Sequence, residues 1–171
     1  MYKNRPTNFL IKDLISEGGC CQVYSIVNKR QLLFKEFKNK KLADFSYKKQ
    51  LKLSSYNLAP KIFSKVIRTR FKDLNDITNW GYLTEKVRIS NESVISIDDI
   101  QDLVDNIYRK ARIKFWDCHY SNIGYKICAG TKVFLCIDCG KESFENCCNA
   151  WGLYNPGPIC SYCKKYLCEC E

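Results

Sequence analysis

The stretch Phe115–Gly140, FWDCHYSNIGYKICAGTKVFLCIDCG, limits what this chain of 171 residues can fold into more than any other part of it. It opens on a polar run, Asp117-Cys-His-Tyr-Ser-Asn122. Two short apolar runs follow, Ile123–Ile127 and Val133–Ile137, joined by Ala129-Gly130. Apolar segments of this length around a glycine-containing turn predict a β-hairpin. A hairpin returns the chain to where it left, so Asp117, His119 and Asn122 are expected beside Asp138 and Gly140. Asn and Asp oxygens suit a hard cation such as magnesium. A separate Asp can accept a proton from an attacking hydroxyl. The plain alternative is a polar loop and turn with no chemistry.

Asp117 followed five residues on by Asn122, then Asp138-Cys139-Gly140 after the hairpin, resembles the catalytic core of the protein-kinase-like superfamily. The resemblance implies that Asp117 is the catalytic base or substrate-orienting carboxylate. It implies that Asn122 and Asp138 hold Mg2+ on the triphosphate of ATP. His119 stands where the family usually carries a basic residue near the transferred phosphoryl group. The Asp-x-His-x-x-Asn form is similar to that of atypical and small-molecule kinases.

The N-terminal half has features in the matching order. Residues 1–8 read as an arm. Glycines in Ser16-Glu-Gly-Gly-Cys-Cys-Gln-Val23 open a first strand, and Gln31-Leu-Leu-Phe-Lys-Glu-Phe37 returns as a second, around Asn28-Lys-Arg30. This resembles a glycine-rich loop and the strand that bears the family's lysine. By that resemblance Gly18 and Gly19 cradle phosphates through backbone amides, Val23 covers one face of the adenine, and Lys35 reaches the α- and β-phosphates. Strand alternation puts Leu33, Lys35 and Phe37 on one face, and a lysine there needs a partner for its ammonium.

Lys38–Ser55 reads as a helix, with Leu42, Phe45, Lys49, Leu51, Leu53 and Tyr56 as an imperfect apolar stripe. The family places a glutamate in this helix to pair with the lysine. The corresponding position falls near Tyr47 or Lys48, where there is no acid. Asp44 is the only carboxylate in the segment, and Glu36 neighbours Lys35 but belongs to the opposite face. Leu58-Ala-Pro60 is expected to end the helix. Ile62–Arg70 and Trp80–Val87 read as the next strand pair. By resemblance, residues 84–87 are the hinge, with Thr84 at the back of the adenine pocket and the backbone from Glu85 to Val87 on the purine edge.

Ile89–Ser96 reads as a linker and Ile97–Lys114 as a helix. Ser96 or Asp98 caps it, Asp98 and Asp99 suit its N-terminal dipole, and Ile100, Leu103, Val104, Ile107, Tyr108 and Ala111 form its apolar stripe. Phe115-Trp116 stands where the family has His-Arg, which leaves no cation waiting for an activation-loop phosphate. Gly124 is small for a pocket floor, so Ile123 or Tyr125 is expected to shift toward it. Only 31 residues follow Gly140, too few for the family's peptide-docking helices. Glu142–Asn149 reads as a short helix.

The chain has 12 cysteines. No export signal or long apolar run is apparent, so disulfides are not the default. Cys160-Ser-Tyr-Cys163 has the spacing of a zinc knuckle, which Cys168 and Cys170 could complete, with Cys147 and Cys148 as alternative ligands. Such a clip would staple a shortened lobe. Tail disulfides and reduced thiols are the competing readings. Cys136 reads as a core thiol.

Net charge is +10, and it is uneven: residues 1–90 carry 19 Lys and Arg against 7 Asp and Glu, residues 91–171 carry 9 against 11. A basic half suits nucleotides, nucleic acid, acidic protein or anionic lipid. Charge alone does not make a nucleic-acid interface, and no ordered pattern of basic and aromatic residues accompanies it.

The expectation is therefore an α+β chain. It resembles a reduced bilobal kinase, with a small antiparallel-sheet N-lobe over residues 1–88, a truncated, mainly helical C-lobe over 89–146 and a cysteine-rich tail over 147–171. The reduced kinases of bacterial effectors, phages and large viruses are similar. The resemblance implies ATP- and magnesium-dependent phosphoryl transfer to a hydroxyl, Ser or Thr of a protein first, with a protein substrate or regulatory partner. The implied compartment is the cytoplasm, a host cytoplasm or a virion. Two other readings stand beside it: a pseudokinase that binds nucleotide or protein without turnover, and a zinc-stabilised interaction or nucleic-acid-binding protein.

Overall fold

A computed structural model describes residues 9–18, 21–70 and 78–144. Gly19, Cys20 and the tail cysteines Cys147, Cys148, Cys160, Cys163, Cys168 and Cys170 lie outside the described residues, as do the N-terminal arm and most of Glu142–Asn149. The architecture is α+β. The strands are β1 (Ile11–Glu17), β2 (Cys21–Ile26), β3 (Leu32–Phe37), β4 (Ile67–Arg70), β5 (Thr78–Glu85), β6 (Arg88–Ile89), β7 (Ile123–Cys128) and β8 (Thr131–Cys136). The helices are α1 (Lys40–Ser54) and α2 (Ile97–Ala111). Neither helix is long and apolar enough to cross a membrane. Residues 1–48 and 61–86 make one compact unit, and 49–60 and 87–171 a second.

In the first unit, five antiparallel strands run in the order β1-β2-β3-β5-β4. Asn28, at φ 59°, turns β2 into β3. β3 lies inside the sheet, which explains why Phe34 through Phe37 are all buried. Phe37, Ala43 and Tyr82 form the core cluster, flanked by Tyr47, Trp80, Ile62 and Val66. Phe37 stacks on Tyr82 at 5.9 Å, and Tyr47 meets Tyr82 edge-on at 5.6 Å. Gly81 is what lets β5 come this close. A Cβ there would lie 2.2 Å from the Lys35 carbonyl oxygen and 2.4 Å from the Phe34 ring.

Helix α1 differs from its expected stripe. Its buried residues are Ala43, Ser46, Gln50 and Leu53, while Leu51 is 47% exposed and Tyr56 42% exposed. Two of the buried four are polar, and each is satisfied. Ser46 and Tyr82 share a hydroxyl–hydroxyl bond of 2.8 Å, and Gln50 donates to the Pro60 carbonyl at 3.0 Å. Pro60 does not end the helix. Asn57 does, in the left-handed region at φ 58°. Its N–H bonds the Ser54 carbonyl and the Leu58 N–H bonds that of Leu53, both at 3.0 Å. That pair of bonds is a Schellman motif, and Leu53 and Leu58 are both buried.

In the second unit, β6, β7 and β8 form a three-stranded antiparallel sheet. Ala129 (φ 49°) and Gly130 (φ 81°) supply the two positive-φ positions that a tight hairpin turn needs. Helix α2 starts in a capping box. The Asp99 N–H donates to the Ser96 hydroxyl at 3.1 Å, and the Ser96 N–H donates back to the Asp99 carboxylate at 2.9 Å. The helix stops at Arg112, at φ 54°. Gln101, Leu103, Ile107 and Ala111 are its buried residues. Tyr108, expected in the stripe, is 50% exposed. Past the hairpin, the chain folds back on Phe115, whose ring lies 5.7 Å from that of Phe144.

Candidate functional site

The polar loop is built by the hairpin and by a serine. Asn122 closes a short 3₁₀ turn, Tyr120–Asn122, directly before β7. On the return, the Ile137 N–H donates to the Asn122 carbonyl at 3.0 Å and the Asp138 N–H donates to it at 3.4 Å. Two main-chain bonds thus hold Asn122 and Asp138 together. Ser90, in the segment read as a linker, is buried. Its Oγ lies 2.7 Å from both the Tyr120 and the Ile123 carbonyls, and its N–H donates to Ile123 at 2.9 Å. It clamps the turn at both ends. A serine in Arg-Ile-Ser-Asn carries no signal of that role, because its partners lie 30 and 33 residues downstream.

The side chains interlock. The Asn122 amide nitrogen donates to Asp117 twice, to the carboxylate at 2.6 Å and to the carbonyl at 3.0 Å. Those bonds use the amide N–H groups and leave its oxygen for other work. His119 Nε2 lies 3.6 Å from Asp117 Oδ1, and Nδ1 lies 2.9 Å from the Ser121 hydroxyl. The Asp138 carboxylate accepts the Gly140 N–H through Oδ1 at 2.9 Å. Cys136 Sγ donates to the Asp138 carbonyl at 3.1 Å. Cys136 and Cys139 are both fully buried. Burial pushes the Cys118 thiol up to about 11, with Asp117 adding to the effect. A Cys118 thiol raised this far stays protonated near neutral pH and is a poor nucleophile.

Amide and carboxylate oxygens are of the kind that suits a magnesium ion. Asn122 Oδ1 and Asp138 Oδ2 are the atoms that would hold it. Among the described residues, no three His, Cys, Asp or Glu side chains converge on a metal position, so the protein would supply only this pair.

Gly124 is not a pocket floor awaiting a neighbour. A Cβ there would sit 2.6 Å from Ile137 Cγ2, 2.7 Å from Val87 Cγ2 and 3.0 Å from the Arg88 carbonyl. The space is already taken by β6 and by the residue preceding Asp138.

The remaining sequence-derived site residues lie mainly in the first unit. Lys35 is buried in β3, opposite Val23 on β2 and Tyr82 on β5. Asp44 is bound to Lys40 one turn earlier in α1. The Gly18 N–H is taken by the Cys21 carbonyl at 2.8 Å, which closes the turn on itself. Thr84 is buried, and its hydroxyl donates to the Lys61 carbonyl at 3.2 Å. The Glu85 N–H donates to Lys61 and the Lys86 N–H donates to Gln31, each at 2.8 Å. Two amides of the expected hinge are thus occupied internally. Val87 falls in the second unit.

Sequence reasoning gave no role to Glu36. It is buried in β3, and its Oε1 accepts the Thr69 hydroxyl at 2.9 Å. Burial raises its pKa, while hydrogen bonding from Thr69 and its polar neighbours pulls the other way.

No family model and no curated protein matches the chain. Among solved structures it is similar to a MAP kinase of Leishmania major, LmaMPK10. The identity is 16% and the TM-score 0.40, over 77% of this chain and 46% of that one. The chain thus matches less than half of that kinase's length. The likeness is weak and distant.

Proposed function

We propose that the chain transfers a phosphoryl group from ATP to a hydroxyl acceptor, with Ser or Thr of a protein as the first candidate. The observation that carries this reading is that Asn122 is tied to Asp117 through its side chain and to Asp138 through the main chain. Asp117 orients the acceptor hydroxyl and takes its proton as the O–P bond forms and ADP leaves. His119, exposed beside Asp117, faces the transferred group. Lys35, with Gly18 and Gly19, positions the phosphates. Val23, Thr84, Glu85 and Val87 line the adenine. Magnesium on Asn122 and Asp138 would neutralise phosphate charge. The protein's contribution is mainly positioning and electrostatic stabilisation. A structural zinc on Cys160, Cys163, Cys168 and Cys170, or with Cys147 and Cys148, remains part of the proposal.

A second reading is a pseudokinase that binds nucleotide or a partner without turnover. Two observations favour it: Asp44 is committed to Lys40, and the Glu85 and Lys86 amides are already bonded within the sheet.

Thermal unfolding with and without Mg-ATP, on wild type and Asp138→Asn, tests whether nucleotide binds. Stabilisation that vanishes in Asp138→Asn is the expected result, and no shift in wild type refutes the enzyme and leaves only a pseudokinase that binds a partner. Transfer of labelled γ-phosphate to a protein acceptor, abolished in Asp117→Ala, then separates the active enzyme from the pseudokinase.

A further inference from the structure

Pairing of β6, β7 and β8 brings rings and cations together that the linear sequence keeps apart. Arg88 on β6 pairs with Tyr125 on β7, and Tyr125 pairs with Phe134 on β8. Residues directly opposite in a sheet share a face, so these three side chains stand in one row across it. Two residues on, Ile127 pairs with Lys132 and carries the same face toward the hairpin tip. Two residues back, Ile123 and Cys136 are fully buried. The face therefore grades from core to solvent along the strands. Arg88 and Lys132 are exposed, Ile127 is 51% exposed, and Tyr125 and Phe134 are half-buried.

The two rings are neighbours, with centres 6.3 Å apart and planes tilted by 54°. The Arg88 guanidinium and the Lys132 ammonium each lie 6.0 Å from the centre of the Tyr125 ring. That distance is the outer reach of a cation–π contact, so neither cation grips the ring closely. Among the described residues neither has a salt-bridge partner. Lys132 donates to the Val94 carbonyl at 3.2 Å. Asp99 feels the Lys132 charge but is itself committed to the α2 capping box.

Rings set among cations match a polymer that alternates flat bases with phosphates. A base offers a π face to stack on an aromatic side chain, and the phosphates beside it attract Arg and Lys. An acidic peptide or an anionic lipid matches the charge but gives the rings no stacking partner. A duplex keeps its base faces within its own stack. We infer that this sheet face binds single-stranded nucleic acid, with bases stacked on Tyr125 and Phe134 and phosphates held by Arg88 and Lys132. The chain's net charge of +10 draws such a strand in. None of these four side chains takes part in the proposed phosphoryl transfer, so the inference stands or falls by itself.

The test is fluorescence anisotropy of a labelled oligothymidylate titrated with the full chain, without ATP or magnesium, over a series of salt concentrations. Wild type is expected to bind with an affinity that falls as salt rises. Tyr125→Leu keeps every charge and is expected to bind about tenfold more weakly, while Tyr125→Phe keeps the ring and should match wild type. Arg88→Gln is expected to reduce the salt slope by about 0.7, and Tyr125→Leu to leave it unchanged. That split separates stacking from charge. A flat wild-type titration at low salt overturns the inference, and so does a Tyr125→Leu protein that binds like wild type. Duplex DNA or polyglutamate that displaces the strand as well as unlabelled oligothymidylate does would reduce the face to a charge effect and overturn it too. Circular dichroism checks that each variant folds. Should Tyr125→Leu fail to fold, ultraviolet cross-linking of wild type to a bromodeoxyuridine strand decides. Adducts on the peptides that hold Tyr125 or Phe134 support the inference, and adducts only elsewhere, or none, refute it.

Discussion

Replacing Gly124 with alanine tests whether the hairpin sets the geometry of the polar loop. The added methyl would sit 2.6 Å from Ile137 Cγ2 and 2.7 Å from Val87 Cγ2. Carbon atoms in good contact stand about 3.5–4.0 Å apart, so each neighbour must retreat by about 1 Å. The Arg88 carbonyl, 3.0 Å away, gives little room in the third direction. Overpacking of this kind costs about 1–3 kcal/mol, or a fall in melting temperature of about 2–12 °C for a chain of this size. Ile137 cannot retreat without consequence, because its N–H bonds the Asn122 carbonyl and Asp138 follows it. A displacement of about 1 Å in a reacting group can cost on the order of 100-fold in rate. On the proposed function, Gly124→Ala should therefore bind Mg-ATP more weakly and transfer phosphate about 100-fold more slowly than wild type, measured below its own melting temperature. Gly130→Ala is the control. Nothing lies within 4 Å of a Cβ there, so it strains the turn through its φ of 81° without crowding a neighbour. A Gly124→Ala protein that melts within a degree of wild type would refute the packing argument. One that melts earlier yet turns over normally would refute the coupling of packing to the site.

Ser96→Ala removes the hydroxyl of the α2 capping box and should cost about 1 kcal/mol in urea unfolding near neutral pH. Asp99 is held below its ordinary value by hydrogen bonds from the Ser96 hydroxyl and backbone. That stabilisation is present above the unfolded value and is lost as pH falls through the folded one, so the gap between wild type and Ser96→Ala should narrow in acid. An unchanged gap at pH 3 would argue against it. Glu36 has the opposite sign, since burial raises its folded value above the ordinary 4.5. Its contribution is full below the unfolded value and declines as pH rises through the folded one. Glu36→Gln should flatten that decline, and a profile parallel to wild type would show that Glu36 does not cause it.

Local pattern made two elements legible. The β7–β8 hairpin follows from two apolar runs around Ala129-Gly130, and the approach of Asn122 to Asp138 follows from the closure of that hairpin. Helix α2 announces itself through Ser96, its acidic first turn and a periodic apolar face. Long-range pairing decided the rest. Ser46 and Gln50 do not look like core residues, and they are buried because Tyr82 and Pro60 complete their hydrogen bonds. A periodicity argument therefore favours Leu51, which the helix leaves exposed. Asn57, three residues before Pro60, stops α1 because it accepts a positive φ, and a proline is the more visible stop signal. The Glu85 and Lys86 amides depend on carbonyls of Lys61 and Gln31, which no local reading of the hinge could supply. Glu36 was visible as a strand residue, but its place inside the sheet and its bond from Thr69 depend on β5 and β4, far along the chain.

The β7–β8 ladder runs in unbroken register from Ile123↔Cys136 to Cys128↔Thr131, and its working end is the end away from the turn. The spacing of Asn122 and Asp138 is thus set by the number of rungs, and the exposed tip at Ala129-Gly130 has no part in it. The tip is the place where the chain can be lengthened. A peptide tag or a reporter loop inserted there leaves every rung paired, provided the strands re-enter in phase. A slip of one residue in β8 would instead turn each of its side chains to the opposite face and shift Asp138 along the strand by about 3.4 Å. Length at one end of this hairpin is freely adjustable, while phase at the other is fixed.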